Sequence, residues 1–166
     1  MNYFSVLHIL LFQVILYIMH EIGHIVTAKI LKLKIFNIGF LLKPYPHIYV
    51  AIKWPKNHLQ KYVYLFSGTF TTLCLFIVAL YFNFFDNKYL YWAFMIQFVI
   101  ELNPFYSDFT IAFVTSKESS KNRMKSYANN YNTQFKKYQF SLNWYIHFTL
   151  WTLIIYVFIK FNKYIL

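Results

Sequence analysis

The sequence predicts an all-α membrane protein of about four transmembrane helices, with a short β-hairpin on the cytoplasmic side between the first and the second. Three observations carry that fold class. The 166 residues are 59% hydrophobic and 24% aromatic, mean hydropathy is +0.41, and only 13% of residues are charged, about half of what a soluble domain carries. Only three glycines and four prolines punctuate the chain. Four apolar stretches also reach the ~20 residues a helix needs to cross a bilayer.

The first stretch runs from roughly Phe4 to Leu31. No basic region precedes it and no small-residue cleavage site follows, so it reads as a retained helix and not as a signal peptide. The second runs from roughly Tyr62 to Phe85, the third from about Tyr89 to Val114, and the fourth from roughly Leu142 to Phe161. The third contains Pro104, which removes a helical N–H and clashes with the preceding turn, so the helix should break there. By organisation, residues 1–114 form a three-helix membrane core, 115–141 a polar, basic cytoplasmic loop, and 142–166 the fourth helix with the C-terminal tail.

Net charge is +11, but its distribution points to a bilayer and not to nucleic acid. Lys29, Lys32, Lys34, Lys43, Lys53, Lys56 and Lys61 lie between the first two spans, and Lys117, Lys121, Arg123, Lys125, Lys136 and Lys137 between the last two. Only Asp86 and Lys88 lie between the middle two. Basic loops stay cytoplasmic, which puts both termini outside and makes this a multi-pass protein of the cell membrane. Within the first loop, "LKIFNIGFLL" and "HIYVAIKW" are β-prone runs around Pro44-Tyr45-Pro46. They predict a hairpin over 33–54 lying on the membrane surface. Cys74 is the one cysteine, so there is no disulfide framework, and in an apolar run it reads as a small filler.

Three of the five acids, Glu21, Glu101 and Asp108, fall inside apolar spans, where an ionisable group is costly and therefore a functional candidate. "HEIGH" places His20 and His24 four residues apart, on one helix face. That spacing lets both imidazoles reach one metal ion, with Glu21 beside them to take a proton from water. This is the H-E-x-x-H arrangement of zinc peptidases. The plainer alternative is a His–Glu helix-packing device in which Gly23 allows close approach.

A catalytic zinc site needs a third protein ligand. His24 lies about 30 Å along the first helix from Phe4, and Asp108 about 28 Å along the third from Tyr89. Both helices start outside, so both residues sit toward the cytoplasmic side. Glu101 is the competing ligand. Asn103-Pro104 precedes Asp108, and broken backbone at membrane depth is tolerated where it lines a cavity.

"HEIGH" on the first helix with "ELNPFYSDF" on the third resembles the site-2 protease family of intramembrane zinc metallopeptidases. The resemblance covers about Tyr17 to Phe109. It implies that His20, His24 and Asp108 bind Zn2+, that Glu21 is the general base, and that Asn103 is the polar residue that helps hold substrate or transition state. "SGTFTT" at Ser67 to Thr72 is similar to the family's Gly-Pro-x-x-Asn segment: Gly68 matches the glycine and Thr72 stands where Asn is common. The chain departs from the family at Phe109, where glycine usually follows the ligand Asp, in its Pro-to-Asp spacing, and in lacking proline in "SGTFTT".

The expected activity is hydrolysis of a membrane-associated protein or peptide precursor. A catalytically inactive zinc-binding relative acting in peptide export or immunity is the alternative, resting on Phe109. A metal or proton transporter is a second alternative; it needs further ionisable groups through the membrane, and His8 and His147 each stand alone on an apolar face, where a lone histidine is more often a packed hydrogen-bonding residue.

Overall fold

The computed structural model describes residues 3–41, 47–53, 55, 57–105, 107–114 and 135–165. Its elements are α1 (Tyr3–Ile30), β1 (Ile35–Leu41), β2 (His47–Ile52), α2 (His58–Tyr81), a short 3-10 turn (Phe84–Asp86), α3 (Lys88–Glu101), α4 (Asp108–Val114) and α5 (Leu142–Ile165). Three helices are long and apolar enough to cross a membrane: Tyr3–Ile30, His58–Tyr81 and Leu142–Lys160. Large apolar side chains such as Leu7, Leu11, Val14, Phe70, Ile77 and Leu153 are exposed along them. In water so much exposed apolar surface is costly, whereas lipid accepts it. The third apolar stretch is interrupted where proline was expected to break it: α3 stops at Glu101 and α4 starts at Asp108. The chain divides into two compact units, Met1–Phe94 and Met95–Leu166.

In the first unit α1 packs on α2. The buried positions of α1 are Ile9, Leu16, His20, Gly23, His24 and Ala28; they repeat at intervals of three, four and seven, one helical stripe. On α2 the matching stripe holds Tyr64, Leu65, Gly68, Thr72 and Ala79. Small residues make the approach close. A Cβ added at Gly23 would lie 2.8 Å from the carbonyl oxygen of Ser67, inside van der Waals contact with backbone that cannot rotate away. Helices in lipid gain association energy from such close packing. At its C-terminal end α1 stops in a Schellman turn. Leu33 N–H donates to Ala28 O (2.8 Å) and Lys32 N–H to Lys29 O (3.1 Å), with Lys32 in the left-handed region at φ 54°. This satisfies the last carbonyls before the chain enters the hairpin.

The hairpin is antiparallel, with Ile38 paired to Val50, Gly39 to Tyr49 and Phe40 to Ile48, and a register irregularity between Ile35 and Asn37. The expected Pro44–Pro46 turn, Trp54 at the hairpin's far end and most of the 115–141 loop lie outside the described residues. Lys53 N–H donates to Lys34 O (2.7 Å) and extends the ladder by one step. The phenol of Tyr64 on α2 donates to Val50 O (3.1 Å), which ties β2 to the N-terminal part of α2. Around Phe85, the rings of Phe76, Tyr91 and Phe94 pack at centroid distances of 5.1 to 5.7 Å, anchoring the start of α3.

In the second unit the end of α3, residues 102–105 and 107, α4, a helical turn over 135–138 and α5 are held by aromatic packing. Phe105 stands 6.0 to 6.2 Å from the rings of Trp144, Phe148 and Trp151. Phe113 stacks on Tyr138, and Val114, Tyr138 and Trp144 form a buried cluster.

Candidate metal centre

His20 and His24 are both buried, at 7% and 5% exposure, because α1 turns its narrow buried stripe toward α2. Their Nε2 atoms lie 3.2 Å apart. Two nitrogens each bound at about 2.0–2.1 Å to a tetrahedral ion stand ~3.3 Å apart, so the pair is already at ligand spacing. His24 Nδ1 is 2.9 Å from Tyr64 O. A carbonyl only accepts, so Nδ1 carries the proton and Nε2 of the neutral ring carries the lone pair. This is the hydrogen bond a metal-ligating histidine characteristically makes through its other nitrogen. Ser67 Oγ also donates to Tyr64 O (2.6 Å) and lies 3.2 Å from His24 Nδ1. The Tyr64 ring packs on the His24 ring at 5.1 Å.

Gly68 leaves the room that the ends of the two rings occupy. A Cβ built there would overlap the His20 ring and lie 2.6 Å from His24 Nε2. Its neighbours Thr71 and Thr72 turn their hydroxyls back along the helix, donating to Ser67 O (2.9 Å) and Gly68 O (3.3 Å). Glu21 is half-buried on α1, directly after His20.

In the second unit Asp108 opens α4, in its first turn. That start is set by Ser107, whose Oγ accepts from Thr110 N–H (3.2 Å) and so acts as an N-cap. Asn103 braces the break. Its Oδ1 accepts from Phe105 N–H (3.0 Å) and its Nδ2 donates to Ile100 O, the carbonyl that would have bonded a residue in the place of Pro104. Asn103 O accepts from Ser107 Oγ (2.7 Å) and Thr110 Oγ1 (2.9 Å). Glu101 is buried and accepts from Gln97 Nε2, four residues earlier (2.7 Å).

Two isolated histidines have local partners. His8 Nδ1–H donates to Phe4 O (2.6 Å) and its ring stacks on Tyr89. His147 bonds through both ring nitrogens, to Tyr138 Oη (3.0 Å) and Leu102 O (3.0 Å).

Sequence reasoning picked out Gly68 and Thr72 but not Ser67 or the Tyr64 carbonyl. Their signal was spacing: 64, 67 and 68 share a helix face. No family model matches this chain, and no curated protein or solved structure matches it either.

Proposed function

We propose that the chain is a membrane-embedded zinc metalloendopeptidase, similar to the site-2 protease family, that cleaves a membrane-associated protein or peptide precursor. The observation that carries this reading is the His20–His24 pair: two buried imidazoles with Nε2 atoms 3.2 Å apart, one fixed by a backbone carbonyl with its lone pair toward the other. A packing device would need only one of these rings to be a donor. The third ligand in this reading is Asp108. With the two imidazoles it would complete a His2Asp donor set, which suits zinc. Glu101, bonded to Gln97, is left to structure.

When bound, zinc supplies Lewis acidity, which polarises a peptide carbonyl and makes a water a stronger acid. The chain's own residues do the rest. Glu21 accepts the proton of the attacking water and passes it to the leaving amine. Asn103 is the donor to the developing oxyanion in this reading, and its backbone and side-chain contacts brace the broken helix. The hairpin's edges present backbone N–H and C=O groups to which an extended substrate adds as a further strand. α3 with α4 serves as the broken third crossing of a four-span protein with both basic loops cytoplasmic.

The test is Glu21→Gln, followed through metal content and cleavage of membrane-anchored reporter peptides. Metal content should stay at the wild-type level while cleavage falls by about 100-fold to 10,000-fold, the range of general-base loss. Wild-type protein that holds no zinc ends the reading, and cleavage untouched by the substitution removes Glu21 from it. A metal-loaded wild type that cleaves nothing, and whose cellular role survives the substitution, favours the inactive relative.

A further inference from the structure

A helix that stops at Glu101 leaves its last carbonyls without i+4 partners, and at membrane depth water does not supply them. Here side chains do. Ile100 O is met by Asn103 itself and Asn103 O by Ser107 and Thr110. The other two partners come from α5: Trp151 Nε1–H donates to Val99 O (2.8 Å) and His147 Nε2–H donates to Leu102 O (3.0 Å). His147 and Trp151 are four residues apart, so they face the same way, and their acceptors, Val99 O and Leu102 O, lie three residues apart at the end of α3. Because His147 Nε2 donates, its Nδ1 is the acceptor, and Tyr138 Oη–H fills it at 3.0 Å. Burial pushes the Tyr138 phenol up to about 12, so it remains an O–H donor at any physiological pH. The relay Tyr138–His147–Leu102 is thereby fixed in one direction.

We propose that α5 is a splint for the metal site. Tyr138, His147 and Trp151 are positioning residues that hold the Asn103–Pro104 break in the conformation that presents Asp108 as a metal ligand. The inference rests on the proposed function, since it takes Asp108 to be that ligand. Between Leu102, which His147 grips, and Asp108 lie only five residues, and four hydrogen bonds to their surroundings or among them run through the Asn103 carbonyl or side chain. A shift of the α3 terminus therefore moves Asp108, whereas His20 and His24 are both carried by α1.

The experiment is cobalt(II) titration of the full-length protein in lipid nanodiscs, reading both affinity and the visible ligand-field spectrum. Wild type, Asp108→Asn, His147→Leu, His147→Gln and Trp151→Phe are compared. His147→Leu and Trp151→Phe should each weaken cobalt binding by about tenfold to 100-fold, the scale of lost supporting bonds around a metal, and shift the spectrum toward that of Asp108→Asn. His147→Gln keeps one donor and one acceptor and should restore most of the affinity and the wild-type spectrum, a rescue that a role in packing alone would not show. His147→Leu with wild-type affinity and spectrum overturns the splint, and so does His147→Gln as impaired as His147→Leu. If His147→Leu loses its helical circular dichroism, Trp151→Phe, which keeps a large ring, decides by the same criteria. Wild type that takes up no cobalt, or Asp108→Asn that binds as wild type does, instead overturns the metal reading itself, and the splint falls with it.

Discussion

His24 of α1 is oriented by the backbone of α2: its Nδ1–H points at the carbonyl oxygen of Tyr64, 2.9 Å away. The acceptor is main chain, so no side-chain substitution at position 64 deletes it. What sets the bond is how closely the two helices approach, and that depends on the small residues between them. Gly23 faces Ser67 O and the Thr71 hydroxyl, and Gly68 faces both imidazoles. The orientation of the candidate ligands and the packing of the helix pair are therefore one property of the molecule.

Gly68→Ala should separate metal binding from folding. The added methyl meets the far ends of His20 and His24, which rotate more easily than backbone moves, so the cost to stability should stay within about 1–3 kcal/mol. The rotation takes both Nε2 atoms off their shared direction, and zinc affinity should fall by about tenfold or more. Competition against a chromogenic chelator reads the affinity, and circular dichroism reads the fold. An alanine variant that holds zinc as tightly as wild type means that the seating of the two rings against Gly68 does not set the metal site.

The parts of this arrangement that sequence made legible are those encoded locally. The four-residue spacing of His20 and His24 reports a shared helix face. Proline at 104 reports a break because its ring clashes with the turn before it, and α3 does stop three residues earlier. The β-prone runs on either side of Pro44–Pro46 reported two strands, and both are present. What local pattern could not carry was pairing at a distance. His147 read as a lone histidine on an apolar face, yet its partner Leu102 lies 45 residues away and offers only a carbonyl, which has no residue signature. The same is true of Tyr64 O and His24, 40 residues apart. The third apolar stretch was long enough for a span as a string of residues, but as folded it is helices of 14 and 7 residues, each short of the ~20 that a single crossing needs.

Tyr64→Phe probes the link between the hairpin and the helix pair. The change deletes the donor to Val50 O and leaves the Tyr64 carbonyl, with its bond to His24, in place. Stability should drop by about 0.5–1.5 kcal/mol, the net worth of one hydrogen bond, and amide exchange should accelerate over β2 (His47–Ile52). Zinc affinity should not change. If zinc is lost while β2 exchange stays at its wild-type rate, then the phenol and not the carbonyl supports the metal site.

Removing the metal gives the last test, because a ligand that binds only the folded chain stabilises it. With free zinc at about 100 times its dissociation constant, the gain is about 2.7 kcal/mol, so a chelator should lower the melting midpoint of wild type by several degrees. Binding requires deprotonated ligand nitrogens, so acid should release the ion as well. His24→Ala and Asp108→Asn should melt at the same temperature with and without chelator, since neither retains the full donor set. The argument turns on that insensitivity: a protein merely stabilised by zinc at scattered surface sites would keep its chelator response in both variants, whereas one ion shared by the helix-borne imidazoles and the Asp108 carboxylate must lose it in each.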